Sequence, residues 1–204
     1  MANELSLTNQ GLYEHQIPDV AKSLEILKNM PFLLNANRPG YGKTIEALVT
    51  AKLMGWNKIL IVCPKSIVLQ WKDQVMKWLG YSEDQIITEK YSLSTLRKSE
   101  TKVVIVKYDT LAAGCMKQRG REKVFETTWL IDMLKSIGWD CIIADEVHRI
   151  KNRKTARSHA LKALPARYRM GLTGTPILRH PDDLYSILDW LGLELNGYWK
   201  FCYK

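Results

Sequence analysis

Asn37-Arg38-Pro39-Gly40-Tyr41-Gly42-Lys43-Thr44 is the stretch on which the reading of this chain turns. It follows the apolar run Phe32-Leu33-Leu34 and opens a helical pattern through Ile45, Ala47, Leu48, Ala51 and Leu53. Strand, glycine loop and helix in that order form the layout of a phosphate-binding P-loop. Glycines let successive backbone N–H groups curl into a concave nest at a helix N-terminus, where the helix dipole favours an anion. Gly40, Tyr41 and Gly42 supply that nest, Lys43 reaches the β- and γ-phosphates, and the Thr44 hydroxyl ligates Mg²⁺. The strict pattern G-x-x-x-x-G-K-[ST] is not met, because Asn37 stands where its first glycine belongs. A surface turn that happens to hold Gly-Tyr-Gly-Lys-Thr is the competing reading, and the rest of the chain decides between them.

The 204 residues give ample length for a sizeable core, and 46% hydrophobic with 25% charged residues is the composition of a globular protein. No apolar run approaches the roughly 20 residues that span a bilayer. Met1 to Leu5 shows no basic segment leading into an apolar one, so no secretory leader is read there. The four cysteines, Cys63, Cys115, Cys141 and Cys202, have no C-x-x-C spacing. Cys63 and Cys141 lie in or beside apolar strand patterns and read as reduced core residues of an intracellular protein. The formal charge of +9 favours a polyanionic partner, nucleic acid before membrane. A basic protein with a solvated lysine surface is the plainer alternative.

Along the chain, Leu12, Ile17, Val20, Ala21, Leu24 and Leu27 follow helical spacing, with Gln16 near the start of the helix. A glutamine amide pairs with both a donor and an acceptor, which suits an adenine edge. Ile59 to Cys63 is a continuous apolar run ended by Pro64, the pattern of a strand covered on both faces and hence of a parallel sheet. Lys65 and Ser66 follow at its carboxyl end, where they suit a backbone phosphate, although Ser66 also reads as a helix cap. A helix is expected through Val68, Trp71, Val75 and Trp78, and strands over Gln85–Thr88 and Val103–Val106, the second closely followed by Lys107. Thr110 is expected to cap a short helix from Leu111. The polar stretch between Ala112 and Thr128, with Lys117, Arg119, Arg121 and Lys123 around Gly120, reads as an exposed basic connection, and a helix follows from Trp129 to Ile137.

Cys141-Ile142-Ile143-Ala144 is another buried strand and runs straight into Asp145-Glu146-Val147-His148. Adjacent carboxylates at the tip of a central strand are costly unless a cation or a reacting water needs them. Asp145 can hold Mg²⁺, and Glu146 can orient and polarise an attacking water, the alternative being a strand that ends in two solvated acids. Met170 to Pro176 reads as a last strand and a turn whose hydroxyls, Thr173 and Thr175, stand within reach of that carboxylate site. The helix through Leu184, Ile187, Leu188 and Leu191 packs back on the sheet, and the tail from Gly197 to Lys204 is aromatic and basic.

In this order the pieces resemble the first ATPase lobe of superfamily-two helicases, closest to the SWI/SNF-type branch with its DExH-box ATPases. Leu12 to Gln16 resembles the family's adenine-reading Q motif, Asn37 to Thr44 its motif I, and Cys63-Pro64 through Trp71 and Trp78 its motif Ia and the tryptophan-bearing helix. Asp145 to Asn152 resembles motif II, with Val147 for the usual alanine, and Leu172 to Pro176 resembles motif III. Asn37 and Arg38 replace the acidic pair that usually opens motif I, and Tyr13 and His15 differ from the usual Arg and Tyr of the Q motif.

The resemblance implies an α/β fold with one RecA-like domain over residues 1–204, a mostly parallel sheet with helices on both faces. It implies the ATP-binding lobe of a DNA-dependent ATP hydrolase, a helicase or translocase for which movement along duplex DNA is preferred to unwinding. Lys43 and Glu146 would be the catalytic residues, ATP and Mg²⁺ the cofactors, and Gln16 the reader of the base. His148, Thr173 and Thr175 would couple the nucleotide site to the nucleic-acid site, with Lys65, Ser66 and Lys107 as DNA contacts. The second RecA-like lobe, with its arginine fingers, would come from the parent protein or another chain, leaving this lobe weak or inactive alone. The expected place of action is cytoplasmic, within the cell, and a nucleoid or nucleus if the protein acts on the chromosome. The alternatives are the ATPase part of a restriction or repair complex, and a DNA-binding or interaction module without catalysis.

Overall fold

The computed structural model describes residues 10–119, 122–177, 181–195 and 197–202. The leader reading at Met1–Leu5, the Gly120 and Arg121 members of the basic stretch, and the end of the aromatic tail at Tyr203 and Lys204 lie outside the described residues.

The elements in chain order begin with helix α1 (Gln16–Asn29), strand β1 (Phe32–Asn35), helix α2 (Lys43–Leu53) and strand β2 (Ile59–Cys63). A 3₁₀ turn at Lys65–Ile67 then leads into α3 (Val68–Leu79). Next come β3 (Ile86–Ile87), α4 (Leu93–Leu96), β4 (Val103–Lys107), α5 (Tyr108–Ala112), β5 (Met116–Arg119) and β6 (Glu122–Phe125). The chain continues through α6 (Trp129–Lys135), β7 (Trp139–Asp145), a 3₁₀ turn at Val147–Ile150, α7 (Ala156–Lys162) and β8 (Ala166–Leu172). A 3₁₀ turn at Pro181–Leu184, α8 (Tyr185–Leu191) and α9 (Tyr198–Cys202) complete it.

The main sheet has six strands in the order β1-β8-β7-β2-β4-β3, and every pairing in it is parallel. Pleating sends successive side chains to opposite faces, so a strand covered on both sides reads as an unbroken apolar run. Ile59, Ile61 and Cys63 of β2, with Val103, Ile105, Cys141 and Ile143 of its neighbours, pack on one face against Leu27, Leu48, Trp71 and Val75 of α1 to α3. Leu60, Val62, Val104, Val106 and Ile142 pack on the other against Leu111, Ile131, Leu134, Leu161 and Ile187 of α5 to α8. Each fully buried side chain of this size contributes about 1.5–3 kcal/mol. The α/β sheet with helices on both faces is the expected architecture.

Cys63, Cys115 and Cys141 are buried free thiols, and burial pushes the Cys63 thiol up to about 12. Such groups stay protonated and inert. No helix among the described residues is long and apolar enough to cross a membrane.

Two local expectations need correction. The short helix after β4 starts at Tyr108, with Lys107 at its N-cap, so Thr110 lies inside it and caps nothing. Tyr108 is 1% exposed and its ring anchors this helix in the core, which overrides the capping signal. The basic stretch after it is not a bare connection: β5 and β6 form an antiparallel hairpin in register from Met116↔Phe125 to Arg119↔Glu122. Phe125 stacks on His159 of α7 with ring centroids 5.2 Å apart, which ties the ribbon to the body. Its charged positions Lys117, Arg119 and Lys123 are exposed, so the polarity was read correctly and the backbone pairing was not.

Candidate active site

Strand order brings the site together. β8 lies between β1 and β7, and the register sets Asn35, Leu172 and Asp145 side by side in one row at the carboxyl edge. The loop after β1, the turn after β8 and the acids ending β7 therefore leave the sheet at the same level. Ligands of parallel α/β sheets bind at such an edge.

The loop from β1 into α2 is shaped by Gly40 and Gly42, whose φ angles are 79° and 91°. Gly42 is the N-cap of α2, and the N–H groups of Ile45 and Glu46 already turn back to its carbonyl. A side chain at Gly42 would also collide with α1, since an added Cβ would lie 2.2 Å from Gln16 Nε2. Lys43 closes the loop, its Nζ donating to the carbonyls of Asn37 (2.8 Å) and Arg38 (3.1 Å). Tyr41 is absent from the cavity lining and meets His15 edge-on with ring centroids 4.6 Å apart, while His15 Nε2 lies 3.3 Å from the Tyr41 carbonyl.

At the strand tip, Asp145 is 8% exposed, and each of its oxygens accepts one hydrogen bond. Oδ2 takes the Trp71 indole N–H at 2.8 Å and Oδ1 the Glu146 backbone N–H at 2.8 Å. Burial raises the Asp145 pKa; the Trp71 bond opposes that, the Glu146 charge adds to it and Lys43 opposes it. Glu146 has φ 51° and ψ 50°, a left-handed conformation that costs a non-glycine residue on the order of 1–3 kcal/mol. Buried Val147 and Ile150 pin the following turn and hold that conformation in place. Val147, the departure from the usual alanine, packs against Gly171, where an added Cβ would come within 3.2 Å of it.

From Glu146 a polar chain runs to the turn after β8. His148 Nδ1 lies 3.1 Å from Glu146 Oε2 and 3.0 Å from the Thr173 hydroxyl, which accepts the Thr175 backbone N–H at 3.1 Å. The same turn touches the glycine loop, for an added Cβ at Gly174 would fall 2.7 Å from the Pro39 ring.

A cavity of about 340 Å³ is lined by Pro39, Gly40, Gly42, Lys43, Thr44 and Ile45 on one side and Asp145 and Glu146 on the other. The Lys43 loop and the two acids thus share one space. The Thr44 hydroxyl and an Asp145 carboxylate with unused lone pairs are hard oxygen donors, a set that fits Mg²⁺ held partly by waters and phosphates.

Gln16 is not in this space. It is 1% exposed and sits behind Gly42, its Oε1 accepting from the Tyr13 N–H (3.1 Å) and its Nε2 lying 3.5 Å from the Gly42 carbonyl. Lys65 and Ser66 are exposed at the end of β2, and Lys107 ends the neighbouring β4, level with Cys63 and 3.9 Å from Glu89. These three share the carboxyl edge with the cavity but do not line it.

Sequence reading missed two groups. Gln70 and Gln74 of α3 form a further wall of the cavity, and helical spacing shows only that they share a face. The other group is a buried polar cluster behind the loop. Asn35 Nδ2 donates to Glu46 Oε2 at 2.6 Å, and Asn37 Nδ2 donates to Asp19 Oδ2 (2.9 Å) and Glu46 Oε2 (3.2 Å). Asn37, where a glycine was expected, is thereby clamped between α1 and α2. Glu46 is 1% exposed with Oε1 unpartnered, and burial raises its pKa. A glutamate inside the apolar stretch of α2 was the available signal.

With this geometry in place, comparison with known proteins gives consistent findings. Mouse "DNA excision repair protein ERCC-6-like 2" is 31% identical over 177 residues, which cover 85% of this chain and 10% of that protein. Human "DNA repair and recombination protein RAD54B" is 30% identical over 175 residues, 79% of this chain and 18% of that one. The chain therefore spans less than a fifth of the length of either relative. Among solved structures, the Sulfolobus solfataricus SWI2/SNF2 ATPase core in complex with double-stranded DNA superimposes with a TM-score of 0.74 and 26% identity. That match covers 94% of this chain and 38% of the other. The family model of the SNF2-related domain matches residues 15–201, and the chain belongs to that family.

Proposed function

We propose that this chain is the nucleotide-binding lobe of a DNA-dependent ATPase that translocates on duplex DNA. The observation that carries the reading is the shared cavity: a lysine on a glycine loop and two acids at a strand tip line one space large enough for a triphosphate. Lys43 leaves its loop carbonyls for the β- and γ-phosphates, and the first N–H groups of α2 face the same anion. Thr44 and Asp145 would hold Mg²⁺, which when bound would supply positive charge against the transferred phosphoryl group. Glu146, held at an unusual backbone angle, aims its carboxylate at the attacking water. Hydrolysis breaks the bond between the β–γ bridging oxygen and the γ-phosphorus and yields ADP and phosphate.

His148, Thr173 and Thr175 respond to the state of Glu146 and carry it toward the nucleic-acid face, where Lys65, Ser66 and Lys107 meet backbone phosphates. Gln16 acts on the base side from behind Gly42, through the loop it supports. A second lobe, from the parent protein or another chain, completes the cleft with an arginine, a group worth roughly 10³–10⁵ in rate in known phosphoryl transfers. The isolated lobe is accordingly a weak hydrolase. DNA-repair relatives and the duplex-bound neighbour favour action on the chromosome inside the cell.

Calorimetric titration of ADP with Mg²⁺ tests the site: the wild-type chain binds, and Lys43→Ala loses binding. Unchanged affinity in that variant would remove the loop from its role. Joined to a second lobe, the protein is expected to hydrolyse ATP faster with duplex DNA than without it, and a rate indifferent to duplex would leave an ATPase without this track.

A further inference from the structure

We infer that Trp71 is a positioning residue for the metal-binding carboxylate: its indole N–H fixes Asp145 in the orientation that receives the magnesium of the nucleotide complex. The inference rests on the nucleotide-site reading above and adds to it a residue from an element that contributes no catalytic group.

The indole N–H is a donor only, and a buried tryptophan usually finds it an acceptor, although Trp190, 3% exposed, has none. Trp139 meets that need with a main-chain carbonyl, Leu134 O at 2.8 Å, and Trp78 with Gln74 Oε1, one turn earlier in α3, at 2.9 Å. Trp71 instead reaches 74 positions along the chain to Asp145 Oδ2, at 2.8 Å. Among the hydrogen bonds of the described residues, no other indole meets a carboxylate. The bonds of Trp71 and Trp139 are equally long at 2.8 Å, and a donor facing an ionised group makes the stronger one.

The geometry is over-determined. Oδ2 is held by α3 and Oδ1 by the Glu146 backbone N–H, also at 2.8 Å, so two donors from two elements fix both torsions of the aspartate side chain. Each oxygen keeps lone-pair capacity for a cation. The Trp71 ring is 1% exposed and packs in the cluster that holds Leu48 of α2, Ile61 of β2 and Val75. The helix that places the indole also places Gln70 and Gln74 in the cavity wall, one residue before it and three after. The position of α3 is thus registered to the carboxylate through one hydrogen bond and to the cavity through two amides.

Partners that orient metal ligands typically change metal affinity 10–100-fold when removed. Trp71→Phe keeps an aromatic ring in the core and deletes the donor. Binding of ADP is followed in the wild-type chain and in this variant as Mg²⁺ is titrated, with a parallel measurement in EDTA. The expected result is a rise of roughly tenfold or more in the Mg²⁺ concentration at half-saturation, with metal-free ADP affinity unchanged. A core residue without the positioning role would lower the melting temperature and leave the Mg²⁺ midpoint where it was, and that outcome overturns the inference.

A second measurement does not depend on Trp71→Phe folding. In the ¹⁵N-labelled wild-type chain, the indole resonance perturbed by Asp145→Asn should also move when Mg²⁺ joins bound ADP. An indole that ignores the metal refutes the assignment. If wild-type ADP binding shows no Mg²⁺ dependence, the nucleotide-site reading fails and takes the inference with it. Normal dependence in both proteins removes Trp71 alone.

Discussion

Replacing Gly42 by alanine tests the junction between the glycine loop and α1 with two separable costs. At φ 91° an L side chain sits in the left-handed region, at about 1–2 kcal/mol. The new Cβ would also lie 2.2 Å from Gln16 Nε2, inside any permitted contact. Gln16 is 1% exposed, so its amide cannot swing into water without leaving its place. Moving it gives up the bond from the Tyr13 N–H, worth about 1 kcal/mol. The single substitution should therefore destabilise by about 2–3 kcal/mol. In a Gln16→Ala background the collision has no partner and only the backbone strain remains. Urea unfolding of the four proteins of this cycle should give a coupling of about 1 kcal/mol, above the 0.3–0.5 kcal/mol within which independent sites usually add. Equal cost of Gly42→Ala in both backgrounds would show that Gln16 does not brace the loop. A cost under about 0.5 kcal/mol in both would show that the loop does not need a left-handed residue there.

Glu146→Gly should release the strain at φ 51° and raise the melting temperature by about 2–4 °C while removing turnover in an enzyme completed by a second lobe. A lower melting temperature, read by differential scanning calorimetry, would argue that the His148 contact outweighs the strain. Glu46 carries a pH signature. Burial holds its folded-state pKa above the unfolded value, so the folded protein binds a proton that the unfolded chain releases. Its contribution is greatest below the ordinary carboxylate range and is lost as pH rises through that range to the raised folded pKa. Glu46→Gln should flatten that fall, leaving the share of Asp145, which is raised in the same direction. Melting curves from pH 4 to pH 8 that superimpose for the two proteins would refute it.

The parts of this molecule that depend on local pattern were legible in the amino-acid order. β2, β4 and β7 are covered on both faces, so each declares itself as an unbroken apolar run. The glycine loop and the Asp145–Glu146 tip announce themselves together, since acids ending a strand are commonly just solvated and only their place after such a loop, in a chain of alternating strands and helices, marks them. The β5–β6 ribbon was not legible, because alternating charges on a two-stranded hairpin look the same as a solvated loop until the partner strand is known.

The arrangement of the site lay beyond any local reading. Only the folded chain decides that β8 enters between β1 and β7, and that single choice sets Asn35, Leu172 and Asp145 in one row. The Trp71 bond to Asp145 and the Asn37 clamp between Asp19 and Glu46 join residues 74, 18 and 9 positions apart. Gln16, read as a base contact, was placed behind the loop by the packing of α1. Residue types and periodicity determined which groups this protein has available for phosphate and metal. Tertiary structure alone decided which of them meet, because hydrogen bonds and close contacts act over a few ångströms of space and carry no trace of separation along the chain.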